Sequence, residues 1–192
     1  SLGSNTIGSF NTANGVSALV SNIDGHSNTG SGYRSLYKNT NGHNNSAFGS
    51  WAGSFRGATG TSSNLTGSNN LYLGALARAS ASGLDNEIVI GFNALGNGNN
   101  SVVLGNDKIV TTVLKGNVGI GTNTPDSGYK LTVKGNISTR EVKVTATAGG
   151  ADFVFEDTYK LPTLKTVEQF ITKNKHLPEI ASAKEMEENG IH

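Results

Sequence analysis

A short sequence motif that ends in glycine recurs through the first half of this chain. Each copy has a small polar residue, two or three mixed residues, one apolar residue and then the glycine. The copies are residues 4–8, 28–32 (a weaker copy), 45–49, 70–74, 87–91 and 101–105. Their closing glycines lie 24, 17, 25, 17 and 14 residues apart. Repetition at such a period predicts a solenoid, in which each coil buries its apolar side only by stacking on its neighbours.

Each step is interpreted as one coil with two strands of about five residues, each followed by a glycine turn. Glycine and asparagine provide the positive-φ positions that tight turns need. Apolar residues alternate in the copies, as Leu71 and Leu73 do, and we expect them to point inward. The residues expected to form one internal column are Ile7, Phe48, Leu73, Ile90 and Leu104. The longer steps, at 8–32 and 49–74, are interpreted as loops that leave the coil.

The composition changes abruptly near residue 106. Residues 1–105 hold 18 of the 26 glycines and only seven charged residues. Residues 106–192 hold eleven acidic and eleven basic residues. The end of the repeat coincides with this change, so we divide the chain into 1–105, 106–150 and 151–192.

Several classes of protein are disfavoured by composition. The chain has no cysteine, so it has neither disulfides nor a thiolate metal site. A net charge of +1 without a basic cluster gives no electrostatic footprint for nucleic acid or an anionic membrane. No apolar run approaches the roughly 20 residues that span a bilayer. Because the sequence opens inside the repeat without a signal peptide or methionine, we expect a fragment of a longer chain.

The repeats resemble the heads of trimeric autotransporter adhesins. The resemblance rests on two sequence stretches: Asn-Thr-Ala-Asn-Gly-Val-Ser-Ala-Leu at 11–19 and Asn-Ser-Ala-Phe-Gly at 45–49. It implies a left-handed parallel β-roll in which three chains pack around one axis. The residues independently favour an oligomer, because a coil of two short strands encloses a thin core and leaves an apolar face and strand edges to cover.

Residues 106–150 have a different pattern. Residues 108–114 form a β-branched run, and 140–145 alternate charge with valine, which suits a half-exposed strand. Two sequence stretches resemble the connector of bacteriophage or Bacteroidetes-type tail-fibre proteins. They are Gly-Asn-Val-Gly-Ile-Gly-Thr at 116–122 and Lys-Leu-Thr-Val-Lys-Gly-Asn-Ile at 130–137. The resemblance implies intertwined β-structure shared by three chains.

Residues 151–192 predict a small α/β module. Thr163 is a candidate N-cap, and an apolar stripe extends from there to about Asn174. Ser182 and Glu185 have the spacing of a capping box, which opens a short helix ending at Gly190. Residues 152–164, 175–180 and 188–191 resemble the C-terminal region of the same tail-fibre proteins. In that family a trimeric coiled coil usually follows.

Aromatic and basic residues cluster twice in the repeat region. The candidate receptor-binding residues are Tyr33, Arg34, Tyr37, Trp51, Phe55 and Arg56. Exposed tyrosine, tryptophan and arginine carry much of the recognition at binding surfaces, and flat rings stack on sugar faces. The alternative is that these rings plug the ends or seams of a thin core.

No catalytic, metal or cofactor site is expected. A glycosidase needs two carboxylates facing each other across a sugar, and Asp85 and Glu87 are the nearest pair in sequence. The glycines at 116–121 do not have the dinucleotide-binding order. His26 and His43 are too far apart in sequence to form an obvious ligand pair. The Ser-Asp-x-x-x-Lys type of motif found in self-cleaving relatives is missing.

These observations and the two resemblances together predict an extracellular, non-enzymatic homotrimeric tip. The resemblances imply that it attaches to a glycan or protein on a bacterial cell surface. Its owner would be a phage tail fibre, a phage-like contractile injection apparatus or a bacterial adhesin. Two alternatives remain: a tail-spike enzyme that depolymerises surface polysaccharide, and a purely structural spacer.

Overall fold

The computed structural model describes residues 1–144 and 155–189. The chain is mainly β, with a parallel solenoid-like sheet and few helices. It divides into two compact units, Ser1–Asn117 and Val118–His192. The change in composition at residue 106 therefore lies within the first unit.

The first unit is a stack of coils whose strands form one parallel sheet. Six strands lie in the order β1-β2-β3-β6-β7-β8. They are β1 (Thr12–Asn14), β2 (Thr29–Ser31), β3 (Ser46–Phe48), β6 (Leu71–Leu73), β7 (Glu87–Ile90) and β8 (Ser101–Leu104). An antiparallel pair, β4 (Phe55–Arg56) and β5 (Ser62–Ser63), lies between β3 and β6 in the chain.

Each coil contributes one strand of three or four residues rather than two strands of about five, so that part of the prediction was wrong. The remainder of a coil consists of turns, joined to the next coil by backbone hydrogen bonds and isolated bridges such as Arg78 with Leu95. A strand is unnecessary there because these turns already pair their backbone groups from coil to coil.

In the first full coil, the glycine that corresponds to Gly32 and Gly49 of the following coils is Gly15, and not Gly8 as the sequence motif indicated. Gly15, Gly32 and Gly49 have φ between +127° and +134°, and a Cβ on Gly15 would lie 2.6 Å from the carbonyl oxygen of Gly32. Both constraints exclude other residues. Gly8 instead stacks on Gly25. The predicted loop at 8–32 was therefore wrong, whereas the long step at 49–74 does contain an insertion, the β4–β5 hairpin.

The predicted internal column was also wrong. Phe48, Leu73, Ile90 and Leu104 do align in register, but they lie on the outer face of the sheet. Phe48, Leu73 and Leu104 are 41%, 43% and 59% exposed, and Ile7, outside the strands, is 71% exposed.

The residues that point inward are the central ones of each strand. Ala47, Tyr72 and Val89 have no exposed surface, and they pack with residues from the opposite turns of the coils. The core comprises Leu19, Leu36, Ala47, Ala52, Tyr72, Ala77, Ala79, Val89 and Ala94. Alanine dominates because the coil interior is narrow.

Buried asparagines join successive coils through their side chains. The Oδ1 atoms of Asn11, Asn28, Asn45 and Asn70 each accept the backbone N–H of the corresponding residue in the next coil, at 2.8–3.1 Å. Their Nδ2 atoms donate to turn carbonyls such as that of Gly42. A second ladder joins Asn5, Asn22 and Asn39. These bonds satisfy backbone groups that the turns would otherwise bury without partners.

The second unit contains two short parallel strands, β9 (Val118–Ile120) and β10 (Leu131–Val133), and two helices, α1 (Leu164–Asn174) and α2 (Ala183–Asn189). Residues 108–114 in the first unit and 140–144 in the second form no strand, contrary to the strand predicted for 140–145, and Thr145 lies outside the described residues. None of the helices found in the described part of the chain is long and apolar enough to cross a membrane.

Both predicted helix starts are confirmed. Thr163 accepts the backbone N–H of Thr166 at 3.2 Å, as an N-cap does. Ser182 and Glu185 form the reciprocal bonds of a capping box, at 2.8 and 3.3 Å. These bonds to Ser182 hold the pKa of the Glu185 carboxyl below its usual value. The predicted end at Gly190 lies outside the described residues.

Candidate functional site

The aromatic and basic candidates lie at one corner of the solenoid, just after strands β2 and β3. Tyr33 and Arg34 follow Gly32, and Trp51 occupies in the next coil the place that Arg34 has in its own. Both Arg34 and Trp51 have a left-handed backbone, with φ of 54° and 60°. The same conformation recurs at Ser17 and Leu76. It is therefore part of the coil geometry rather than strain confined to this site.

The Arg34 guanidinium lies among three aromatic rings. Its Cζ is 4.7 Å from the centroid of Trp51, 5.0 Å from that of Tyr33 and 5.1 Å from that of Tyr37. These distances are within the range of cation–π attraction. Trp51 also stacks on Phe55 at 4.9 Å. The structure thus brings five of the six candidate residues into one cluster.

Trp51 is packed within this cluster and is not a free platform. It makes edge contacts with Tyr33 at 5.7 Å and with Tyr37 at 5.6 Å, besides its contacts with Arg34 and Phe55. Tyr33 is the most exposed aromatic ring of the cluster, at 44%. Trp51 and Phe55 are half-buried outside the core cluster, whereas Tyr33 is exposed, so the alternative predicted from sequence, that the rings fill seams of the core, stays a prediction.

A serine fixes the backbone beneath the cluster. The Oγ of Ser54 accepts the backbone N–H of Tyr37 at 2.9 Å and donates to the carbonyl oxygen of Arg34. Ser54 is itself buried. The positions of Tyr37 and Arg34 are therefore set by the core rather than by the cluster alone.

Arg56 does not join the cluster. It lies in the β4–β5 hairpin, where its Nε donates to the carbonyl oxygen of Ser63 at 2.9 Å. Among the described residues no ring contact of Arg56 is found. Its role is to close the hairpin, and the sequence grouped it with Trp51 and Phe55 because the three are adjacent in the chain.

The two carboxylates considered for catalysis have unlike surroundings. Asp85 is exposed and accepts from Asn69 Nδ2 at 2.6 Å. Glu87 opens β7 with no exposed surface, and its Oε1 accepts the backbone N–H of Gly98 at 3.0 Å. Burial, and next the Glu87 charge, raise the pKa of Tyr72 well above its usual value. Glu87 thus continues the inward asparagine column and does not share an accessible face with Asp85.

The rings of His26 and His43, two residues too far apart in sequence to predict an obvious metal-ligand pair, stack on each other. The two residues lie 17 residues apart, which is one coil, and their ring centroids are 5.2 Å apart. The Nδ1 of each accepts a backbone N–H from the preceding coil at 3.0 Å. The pair is thus part of a third polar ladder. The recurring 17-residue spacing was the signal for it. Within the ranges that the structure describes, no group of three or more histidines, cysteines or acids is placed to hold a metal ion.

Comparisons of the chain with protein-family models, curated proteins and solved structures give no match.

Proposed function

We propose that this chain is a non-enzymatic attachment protein, the tip of an extracellular tail fibre or adhesin, that works as a homotrimer. The observation that carries the attachment role is the accessible side of the Arg34 cluster on a solenoid with a self-contained core. Arginine and tyrosine at a fixed, partly exposed position are typical of recognition surfaces. The target is a glycan or protein on a cell surface, and the owner is a phage, an injection apparatus or a bacterium.

The outer face of the parallel sheet supports self-association. The outward residues are Thr12, Asn14, Thr29, Ser31, Ser46, Phe48, Leu71, Leu73, Ile88, Ile90, Val102 and Leu104. None is charged, and the face is apolar from Phe48 onward. Where such a face lies on the three-fold axis, the same residue of each copy meets there, and a face without charge associates without repulsion.

The second unit supports the same proposal. Among residues 118–144 and 155–187 none is buried, although large apolar residues such as Ile120, Leu131 and Ile137 are exposed. Intertwining with two further copies would cover them. Three weak sites on one trimer would then raise avidity without strong single contacts.

The oligomeric state and the attachment role are tested together. Light scattering of the intact chain is expected to give three times the chain mass of 19.9 kDa. The same sample is expected to bind a panel of bacterial surface glycans or whole cells. A monomer at micromolar concentration would contradict the trimer, and failure to bind any cell surface would favour the spacer.

The enzyme alternative has its own readout. The trimer is incubated with surface polysaccharide, and the length of the polysaccharide chains is followed by size-exclusion chromatography. We expect the chains to keep their length. Shortening that is lost in an Asp85→Asn or Glu87→Gln variant would overturn the non-enzymatic proposal.

A further inference from the structure

Arg34 differs from the other arginines of the first unit because no described protein group accepts a hydrogen bond from its side chain. Arg56 donates to the carbonyl oxygen of Ser63, and Arg78 donates to those of Gly57 and Ala58. Arg34 forms no side-chain hydrogen bond or ion pair with any described residue. Its side chain is partly exposed, and of its nitrogens Nε alone is both buried and without a partner. A guanidinium in this position has N–H donors that an external oxyanion can use.

The coils of the first unit hold few carboxylates that could neutralise this charge. Residues 1–105 contain only three acids. Asp24 accepts from Asn41 at 2.6 Å, Asp85 accepts from Asn69, and Glu87 is buried. A second cation adds to the first, because the Nζ of Lys38 lies 4.9 Å from the ring centroid of Tyr37.

We define Tyr33, Arg34, Tyr37 and Lys38 as the cationic aromatic patch. We propose that this patch binds an acidic glycan, meaning a sugar ring that carries a carboxylate or sulfate. The ring packs on the exposed side of Tyr33, and the oxyanion accepts from the terminal amino groups of Arg34, with Lys38 adding attraction. This inference rests on the proposed attachment function and specifies its ligand.

The chemistry of the patch favours an anionic sugar over a neutral one. A guanidinium donates two parallel hydrogen bonds to an oxyanion, and charge-assisted bonds are roughly twice as strong as neutral ones. The cation–π contacts and the Ser54 bond to the Arg34 backbone hold the guanidinium in place before a ligand arrives, which reduces the entropy lost on binding.

The size of the patch favours a sugar over a protein. Tyr33 is the single ring of the patch that is more than two-fifths exposed. A stable protein interface buries about 800 Å² on each partner. One exposed ring beside one guanidinium suits one or two sugar rings instead.

The test uses the intact chain and four probes in matched pairs, with calorimetry at low and at physiological salt. The first pair is oligogalacturonate and the same oligomer with its carboxyl groups reduced. The second pair is a κ-carrageenan oligosaccharide and its desulfated form. A charge-assisted bond contributes about 1.5–3 kcal/mol, so each acidic probe that binds is expected to do so roughly 10- to 100-fold more tightly than its neutral form. The pair that shows this difference identifies carboxylate or sulfate as the oxyanion.

Variants locate the site. Arg34→Gln is expected to abolish the preference for the acidic probe, and Lys38→Gln, which removes the more peripheral charge, is expected to weaken it by a smaller factor. Arg56→Gln is the matched control and should leave it unchanged, since Arg56 is occupied in the hairpin. Thermal unfolding of each variant shows whether the fold is retained.

The outcomes separate this inference from the proposed function. Cell attachment together with equal binding of acidic and neutral probes, or with no binding of any of the four, would overturn the acidic ligand and leave the attachment role standing. An acid preference that survives in both Arg34→Gln and Lys38→Gln would overturn the site. Binding of neither probes nor cells would overturn both proposals.

Discussion

The two units of this chain differ in how much of their apolar surface is buried within a single chain. The unit Ser1–Asn117 has fully buried apolar residues and polar ladders within one chain. The unit Val118–His192 has a strand pair and two capped helices, but none of residues 118–144 and 155–187 is buried. Local hydrogen bonding alone does not stabilise a fold, because ordering each residue costs about 1–2 kcal/mol. The first unit is therefore expected to be stable as one chain, and the second only as part of an assembly.

The largest expected effect comes from charging the outer face of the sheet. In a Phe48→Asp/Leu73→Asp variant, symmetry would gather six carboxylates, whereas a monomer would accept the charges at exposed sites within about 0.5 kcal/mol. We expect a change from trimer to monomer, measured by sedimentation. Hydrogen exchange should then become fast in 118–144 and remain slow at the core strands.

The control adds the same two charges elsewhere. A Thr59→Asp/Thr61→Asp variant places them in the exposed loop between β4 and β5, and the trimer should persist. If the outer-face variant remains a trimer, that face is not the interface. The first unit would then not be the part of the chain that forms the trimer through its sheet.

The next effect compares the same kind of truncation in the two units. Leu36 is 1% exposed within the core cluster, so Leu36→Ala should lower the free energy of unfolding of the first unit by about 2–5 kcal/mol. Ile171 on α1 is 39% exposed, so Ile171→Ala should cost less than about 1 kcal/mol. Urea unfolding followed by tryptophan fluorescence, with Trp51 in the first unit, reports the former, and helical circular dichroism reports the latter. Equal losses would mean that the second unit also has a core.

A slightly smaller loss is expected from breaking an asparagine ladder. Asn45→Ala leaves the backbone N–H of Asn70 and the carbonyl of Gly67 without partners, which should cost about 2–4 kcal/mol. Asn41→Ala is the control, because Asn41 is exposed and bonds to Asp24 on the surface; its cost should be about 0.5 kcal/mol or less. Thermal unfolding measures both. A negligible effect of Asn45→Ala would show that water replaces the ladder.

Removing the N-cap of α1 should have a modest effect. Thr163→Ala loses the bond to Thr166 N–H and should destabilise that helix by about 1 kcal/mol. The helical signal at 222 nm should fall while the unfolding of the first unit is unchanged. Thr163→Ser, which keeps the hydroxyl, should retain the signal.

The smallest effect is a pH dependence at α2. The pKa of the Glu185 carboxyl is lowered by the bonds from Ser182, so the charged form stabilises the helix start above the usual carboxyl range. This contribution is lost as the pH falls through the lowered pKa. Nuclear magnetic resonance of the Ser182 amide should show a shift at acidic pH that Glu185→Gln does not show.

The features that the sequence predicted correctly are local or periodic. Thr163 and the Ser182–Glu185 pair act within one helical turn, so their neighbours in sequence are their neighbours in space. The parallel solenoid follows from the glycine period, because the same backbone approach recurs at Gly32 and Gly49.

Which side chains of each strand point into the coil could not be predicted in the same way. In Ile88-Val89-Ile90 both faces are apolar, so alternation alone does not say which one is inside, and an error of one residue exchanges the two faces. The interior is narrow and selects Val89, Ala47 and Tyr72. The larger side chains then remain on the outer face.

The candidate site was predicted as a set of residues but not as an arrangement. The register of one coil brings Arg34 and Trp51 together, and this was readable from the 17-residue spacing once the correct glycine is used. The stacking of Phe55 on Trp51, and the separation of Arg56 into a hairpin, depend on the insertion after β3.

Because β1, β2 and β3 pair in the same register, one whole coil (a winding) of the first unit can be removed or duplicated without shifting that register. Excising residues 29–45 would join Asn28 to Ser46, so that β3 would pair with β1 and Asn28 would take the rung of Asn45. The stack of coils would shorten by about 4.8 Å, the spacing of paired strands, and Trp51 would lose its contacts with Tyr33, Tyr37 and Arg34. Since Tyr33, Arg34, Tyr37 and Lys38 all belong to the excised winding, duplication or deletion of one winding would let such a lineage gain or discard a specificity while the scaffold is inherited intact.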